Sequence, residues 1–500
     1  MVIEDPKRLR LILVVVSLSL MMVISGVSGL NVALPDLALS TGATQNQLQW
    51  IVDAYTVTLA GLLFIAGAIG DRFGRRLLLI AGLIIFGGAA AVAFTVSDPT
   101  TLIVLRAVMG IGAAAVMPTT LSIITTSFPE ERRPQAIGIW VGVAGAGAVL
   151  GLLMSGLLLE WFSWSSFFAL NVALALVALL GAFTVIPNSV DSDPPALDSI
   201  GAILSFLAVA GLVFGIIEGP VSGWVSWQVL VPLSIGLISG VLFVWWESRV
   251  ESPLLDPRLF KLRGFSTGSA SNAIQFFAAF GFFFTIMQFL QFVVGYSPLQ
   301  AAAAVLPMAV VLIPLARNAP LISQRFGYNR IGSLGLLSLS LGLLILSFTL
   351  STDFSYWAFL GGLVFFGIGM ALAGAPATTA ITSSLPSSKQ GVASAMNDTA
   401  REFGSALGIA VLGSVLNSVY RSDVTAAVGD LPQQAAAAIE SSIAAAGQIG
   451  EQLGPNGAQI IAAANEAFVS GAAGALRVAA AVVVIGALFV FLRAPRRGEH

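Results

Sequence analysis

A few ionisable side chains stand inside stretches that are otherwise nearly uncharged, and their spacing suggests proton or cation chemistry. Asp398 and Glu402 are four residues apart and flank Arg401. A helix places both carboxylates on one face. They can pair internally with Arg401 or Arg317, or they can handle a proton or a cation. Asp53 lies near one end of another apolar stretch. Burial disfavours the ionised form of a carboxyl group, so Asp53 can take up a proton on one side and release it on the other, or attract a cationic ligand. A solvated residue at the mouth is its plainer role. Arg106 sits about five residues into its stretch. A central arginine costs roughly 2.5–3.5 kcal/mol in a bilayer, so it should either face an internal cavity with a partner or snorkel to the near interface. Glu218, in "IIEGP", fits a helix-end contact, with coupling as the alternative.

Other chemistries lack their residues. Cysteine is absent and the one histidine is His500, the last residue. That leaves no His/Cys nucleophile set and no thiolate or histidine metal cluster. There is no phosphate-binding loop, so a nucleotide-driven pump is excluded, and no cofactor or metal is expected. Net charge is −2, which suggests no nucleic-acid partner. Hydrophobic residues make up 57% of the 500-residue chain and charged residues only 10%, against about 25% charged in soluble domains. Too little polar surface remains to cover a water-soluble fold, so the main solvent must be lipid.

The elements that position these groups are therefore membrane helices. A span needs roughly 20 mainly apolar residues. The sequence predicts fourteen, over 11–34, 50–69, 77–96, 101–125, 135–158, 166–187, 198–218, 228–247, 265–293, 299–322, 331–350, 356–385, 390–418 and 470–492. Lysine and arginine mark the cytoplasmic side. With the N-terminus inside, eighteen of the 23 basic residues fall in cytoplasmic connections or termini. Only Arg421 falls outside, and Arg106, Arg317, Arg401 and Arg477 lie within spans. Both termini are then cytoplasmic. The long connection 419–469 is extracytoplasmic, with short helices expected at 433–446 and 458–467, and reads as a cap or as a tolerated insertion.

The sequence also repeats. "DRFG" at 71–74 matches "QRFG" at 324–327. "PTTLSIITTSFPEER" from Pro118 matches "PATTAITSSLPSSK" from Pro376, and Gly147 and Gly151 align with Gly404 and Gly408. The offset is about 255 residues throughout. Spans 1–6 thus recur as spans 9–14, with spans 7 and 8 inserted. Parallel six-helix repeats describe a rocking carrier with a central cavity. The expected organisation is an all-α integral membrane protein: an N-terminal bundle over 1–190, two inserted helices and a linker over 191–260, and a C-terminal bundle over 261–500.

Several motifs now fall in order. "GAIGDRFGRR" at 67–76, "LIVLRAVMGIGAA" at 102–114, "NVALP" at 31–35, "QWIVDAY" at 49–55, "GYSPLQA" at 295–301 and "NDTAREFGSALG" at 397–408 together resemble the major facilitator superfamily, and within it the fourteen-span drug:proton antiporter branch. The resemblance implies that Gly67, Asp71, Arg72, Gly74, Arg75 and Arg76 form a conformational latch, and that Arg106 belongs to proton coupling. A simple positive-inside anchor would also use the three arginines, but would need neither the aspartate nor the glycines. Two departures stand out. The branch usually has an aspartate in span 1, five residues before the asparagine of "NVALP"; here that position is Gly26. In span 5 the usual Gly-Pro-x-x-Gly-Gly reads "GLLMSG", whose Gly151 and Gly156, with Gly147, still suit close helix contact. Proton coupling must use another acid, Asp53 first among them.

Span 9 concentrates aromatic and amide side chains. Phe280, Phe284, Gln288 and Gln291 recur at helical spacing. They read either as an aromatic substrate wall suited to flat amphipathic cations or as ordinary lipid-facing phenylalanine. The leading expectation is a monomeric, multi-pass exporter in the plasma (inner) membrane. It would exchange hydrophobic or amphipathic, often cationic, small molecules for protons by alternating access. The same fold carrying a dedicated metabolite, lipid or siderophore is the alternative. An enzyme lacks its catalytic residues, and a channel would not need the repeat or the latch.

Overall fold

Each half of the repeat starts from local signals that fix where helices begin and turn. The computed structural model describes residues 5–129, 132–190, 197–385, 390–425, 427–428, 431–454 and 457–496. Within its helices the side chains of 64, 71, 133–135, 137, 138, 141, 142, 144–146, 390, 391 and 394 are not described. The elements are α1 (Pro6–Ser28), α2 (Leu30–Thr41), α3 (Gln45–Phe73), α4 (Arg75–Ala93), α5 (Pro99–Ser127), α6 (Arg133–Leu159), α7 (Ser166–Thr184), α8 (Ser199–Ser222) and α9 (Trp227–Glu247). They continue as α10 (Arg263–Gln288), α11 (Pro298–Ala304), α12 (Leu306–Phe326), α13 (Tyr328–Thr349), α14 (Tyr356–Ser383), α15 (Gln390–Thr425), α16 (Gln433–Ser441), α17 (Ile443–Gln452) and α18 (Gly457–Arg493). The described residues contain no strand.

Among the described residues, twelve helices are long and apolar enough to cross a membrane. The helices at predicted spans 2 and 5 are α3, of 29 residues, and α6, of 27 residues; their side chains are only partly described. The first predicted span is broken at Gly29 into α1 and α2. The predicted helix 433–446 is divided at Ser442, whose extended backbone (φ −160°, ψ 126°) ends α16. Ser442 Oγ then accepts a hydrogen bond from the Ala445 N–H at 3.4 Å, capping α17. The second predicted helix, 458–467, is the first part of α18.

The chain clusters into two units. The first comprises Met1–Asp36, Trp50–Ala210 and Ile235–Leu254; the second comprises Leu37–Gln49, Gly211–Ser234 and Leu255–His500. In the first, α1 packs on α6, and α4 packs on α5 and α7. In the second, α10 packs on α15, and α13 packs on α14 and α18. The pairings in the two units involve helices that the sequence repeat equates. In the first unit the helices approach closely at Gly151, where a Cβ would stand 2.7 Å from Ser28 Oγ and 2.8 Å from Ser25 Cα. The counterparts Gly404 and Gly408 lie directly against the backbone carbonyls of Ala273 and Phe277. Small residues are what lets apolar helices associate in lipid.

The repeated loop also keeps its conformation. Gly74 has φ +116° and Gly327 has φ +92°, backbone that favours glycine. Beside them Arg72 lies over Phe73 at 6.0 Å and Arg325 over Phe326 at 5.5 Å. Large apolar side chains such as Leu180, Leu237, Phe348 and Ile485 point outward and are exposed, as a lipid-facing surface requires.

Candidate functional site

In the first unit the chemistry gathers where α3 meets α5. Asp53 has no solvent-accessible surface. Its Oδ1 accepts a hydrogen bond from Thr56 Oγ1 at 3.1 Å, one helical turn away. Its Oδ2 has no hydrogen-bond partner. Arg106 is also fully buried. Its Nε donates to the Ile51 carbonyl at 2.9 Å, and its guanidinium carbon lies 4.3 Å from the centroid of the Tyr55 ring. Neither terminal nitrogen of Arg106 has a hydrogen-bond partner. The ring attraction is worth about 2 kcal/mol when both groups are desolvated. So Arg106 does not snorkel, and Asp53 is not a solvated mouth residue.

Tyr55 is held in turn. Its hydroxyl donates to the Val23 carbonyl at 2.9 Å, and its ring meets Phe86 edge-on at 6.2 Å. A Cβ at Gly26 would lie 3.6 Å from Tyr55 Oη and 3.3 Å from Phe86 Cζ. The position at which the sequence resemblance would expect an aspartate therefore adjoins the tyrosine on which Arg106 rests. With glycine there, the arginine rests on a ring.

In the second unit the charged trio sits on α15. Arg401 Nη1 lies 3.8 Å from Asp398 Oδ1, and the Arg401 guanidinium carbon is 4.5 Å from the Phe276 centroid. Glu402 is half-buried and within electrostatic range of both. Of the two partners expected for Asp398, the structure supplies Arg401; Arg317 on α12 is exposed. Asn397 Nδ2 donates to Asp398 Oδ1 at 3.4 Å. Asn397 Oδ1 accepts from Asn272 Nδ2 at 2.6 Å and from Thr378 Oγ1 at 2.9 Å. This relay joins α10, α14 and α15. Asn272, Thr378 and Asn397 are invisible to a reading that follows charges alone. Their signal is an amide or hydroxyl inside an apolar span, a group that must find a partner there.

The span-9 stripe divides. Phe280 stacks on Phe276 with centroids 5.9 Å apart and an interplanar angle of 21°, which links it to Arg401. Phe284 and Gln288 are fully buried. Gln288 Nε2 donates to the Phe284 carbonyl at 2.9 Å, and its Oε1 has no hydrogen-bond partner. Gln291 is half-buried in a π-helical turn, Phe289–Val293, a feature frequent at functional positions. Glu218 makes the helix-end contact anticipated for it: its carboxylate accepts from Asn46 Nδ2 at 3.2 Å and from Ser222 Oγ at 3.4 Å.

Around the charged loop, the Arg75 N–H donates to the Ser189 carbonyl at 3.0 Å, and Arg76 Nη2 donates to the Phe183 carbonyl. Arg72 is exposed. The Asp71 side chain lies outside the described residues. Close approach does not require a glycine at Gly67, since the nearest contact of a Cβ there is Pro118 Cβ at 3.9 Å. Gly147 is similarly relaxed, with Ile24 at 3.6 Å, whereas Gly151 is tight. Gly156 is buried.

The family model described as the Major Facilitator Superfamily matches residues 16–409. The chain is 33% identical over 493 residues to the multidrug efflux pump LfrA of Mycolicibacterium smegmatis, covering 97% of each chain. It is 32% identical over 504 residues to the methyl viologen resistance protein SmvA of Salmonella typhimurium, covering 98% of this chain and all of that one. Identity to the tetracenomycin C resistance and export protein of Streptomyces glaucescens is 30% over 484 residues, covering 95% and 90% of the two chains. Among solved structures, an inward-facing bacterial homologue of the human lysosomal transporter Spinster matches with a TM-score of 0.70 at 18% identity, over 98% of both chains. A D-xylose–proton symporter matches with a TM-score of 0.61 at 13% identity, over 98% of this chain and 99% of that one. These two share the fold.

Proposed function

Since the chain belongs to the Major Facilitator Superfamily and is a transporter, not an enzyme, we propose that it exports hydrophobic or amphipathic, commonly cationic, compounds in exchange for protons by alternating access. Relatives matched over nearly the whole chain carry multidrug efflux, methyl viologen resistance and tetracenomycin export in their names. The observation that carries the mechanism is Asp53: a carboxyl group without accessible surface, with one oxygen held by Thr56 and the other without a hydrogen-bond partner. Such a group can bind and release a proton without rebuilding a salt bridge.

Arg106, bonded to the Ile51 carbonyl and held on Tyr55, is a second buried charge-bearing group between the same two helices, α3 and α5. Asp398 and Glu402, with Arg401, form a second polar centre suited to a cationic substrate, and Phe276 and Phe280 offer an aromatic face there. The loop 67–76 acts as a latch whose release biases the transport cycle. The topology proposed with this function has fourteen spans, α3 and α6 completing the count, both termini in the cytoplasm and a monomer in the plasma membrane. The organisation is two six-helix bundles, 1–190 and 261–500, joined by the inserted pair over 191–260.

The test uses acid-loaded inverted vesicles and a panel of lipophilic cations, with wild type and Asp53→Asn compared at matched expression. Cations should discharge the gradient through the wild type and fail to do so through the variant. Equal discharge by both would move coupling to Asp398 or Glu402. No response from either would favour a dedicated metabolite as cargo.

A further inference from the structure

The second unit holds a cavity of about 920 Å³ that is distinct from the polar centre on α15. It lies among the ends of α10, α12, α13 and α14 and the residues that follow α18. Three cations line it, Lys261, Arg263 and Arg496, and among the described lining residues none is acidic. Neutral donors complete the wall, among them Gln324 and the hydroxyl of Ser383. Leu262 also lines the cavity and is 41% exposed.

The sequence repeat sharpens the charge argument. Gln324 occupies, in "QRFG", the place that Asp71 holds in "DRFG". A carboxylate at that place would oppose an anion. In the second repeat an amide donor replaces it, so the described wall of the cavity carries no carboxylate at that place. Its volume falls in the range of sites that take drug-sized molecules (~300–1,000 Å³) and is far more than a lone phosphate ion fills. Its walls are the ends of spanning helices on the side where the chain concentrates lysine and arginine. That is the level at which lipid phosphates lie, and basic pockets between spans there suit anionic head groups.

We propose that this cavity binds the phosphate head group of an anionic phospholipid, with Lys261, Arg263 and Arg496 as the charge partners and Gln324 and Ser383 as neutral donors. The site rests on the fold and topology and is independent of which compound is exported. It would tie the inner ends of α10, α12 and α14 to the composition of the surrounding leaflet.

The experiment is native mass spectrometry of the full chain in a neutral detergent, titrated with phosphatidylglycerol, with phosphatidylcholine and with inorganic phosphate. Each basic residue near an anionic surface contributes about fivefold. The wild type should therefore retain one phosphatidylglycerol at least about tenfold more tightly than phosphatidylcholine. The triple variant Lys261→Gln/Arg263→Gln/Arg496→Gln should lose that preference, while Arg8→Gln/Arg10→Gln/Arg132→Gln, three basic residues elsewhere, should keep it. Gln324→Glu, a single change of similar size, should weaken phosphatidylglycerol several-fold and guards against a triple variant that does not fold. Unchanged retention in both Gln324→Glu and the triple variant would overturn the proposal. Displacement of the lipid by millimolar inorganic phosphate would also overturn it, by making this a site for soluble anions.

Discussion

Replacing Asp53 by asparagine removes a proton-binding group while leaving the local packing in place. Thr56 Oγ1 donates to Asp53 Oδ1 at 3.1 Å, and the asparagine carbonyl can accept the same bond. The amide nitrogen then takes the place of Oδ2, an atom already without a hydrogen-bond partner. One unpartnered buried atom replaces another and the titratable group disappears, so folding stability should be little changed. The transport consequence is large. When one proton enters for each monovalent cation expelled, no net charge moves, and only the pH gradient drives exchange. A gradient of one pH unit supplies about 1.4 kcal/mol per proton, a tenfold concentration ratio. In proteoliposomes with that gradient imposed, the wild type should hold a lipophilic monocation at about a tenfold ratio per proton exchanged. Asp53→Asn should bring the ratio to about one while still permitting downhill counterflow of the cation. A variant that sustains the full ratio would refute Asp53 as the carrier. A sharper form adds Gly26→Asp. A Cβ at that position would stand 3.6 Å from the Tyr55 hydroxyl oxygen, so a carboxyl there should restore part of the gradient to Asp53→Asn.

Arg106→Lys keeps the charge but loses the Nε bond to Ile51 and the planar face over Tyr55; about 2 kcal/mol of ring attraction is weakened, so initial export rates should fall at least about tenfold with normal folded yield, and a wild-type rate would show that charge alone suffices. Gly151→Val should lower the unfolding midpoint in detergent, with overpacking worth about 1–3 kcal/mol, whereas Gly67→Ala should leave it unchanged because a Cβ there has only Pro118 Cβ nearby, at 3.9 Å. Asp98 caps α5 by accepting from the Thr101 hydroxyl and N–H, both at 2.7 Å, and these bonds hold its carboxyl below the ordinary aspartate range. Its contribution is thus present above the unfolded-state value and lost as pH falls through the lower folded value; Asp98→Ala should remove this acid-sensitive part of the melting curve, and Asp98→Asn should keep the cap without the pH dependence.

Much of this arrangement is legible in the residues alone. The repeat of "DRFG" as "QRFG" anticipates two glycine turns with positive φ, at Gly74 and Gly327, and aligning Gly151 with Gly408 anticipates matching helix crossings. These are short-range requirements that a sequence states directly. The spacing of Asp398, Arg401 and Glu402 likewise places the trio on one helix. What stays hidden is long-range. Nothing in span 4 says that Arg106 ends on Tyr55, because a tyrosine in span 2 is as good a lipid-interface residue as it is a cation's seat. Phe284 and Phe280 have the same type and lie on one helical stripe, yet one is core and the other stacks toward Arg401 through Phe276. Only packing separates them. Gly67 looks like Gly151 for the same reason.

Both units hold an arginine against an aromatic ring, Arg106 on Tyr55 and Arg401 on Phe276, and the choice of partner has a consequence for carboxylates. An arginine in a low-dielectric site must be compensated. If a carboxylate does so in tight bidentate geometry, that acid is fixed as an anion and cannot exchange protons. A ring attracts the guanidinium without offering a proton site. In the first unit the ring and the Ile51 carbonyl take that role, and Asp53 is left with a single hydroxyl donor. In the second, Asp398 stands 3.8 Å from Arg401, a loose contact, and shares the arginine with Phe276. Loose pairing lets an acid be neutralised by a proton, or by a cationic substrate, at modest cost. If the proposed exchange holds, the rings would keep the arginines in place while the carboxylates change state, which is the property that a carrier coupling two cations requires.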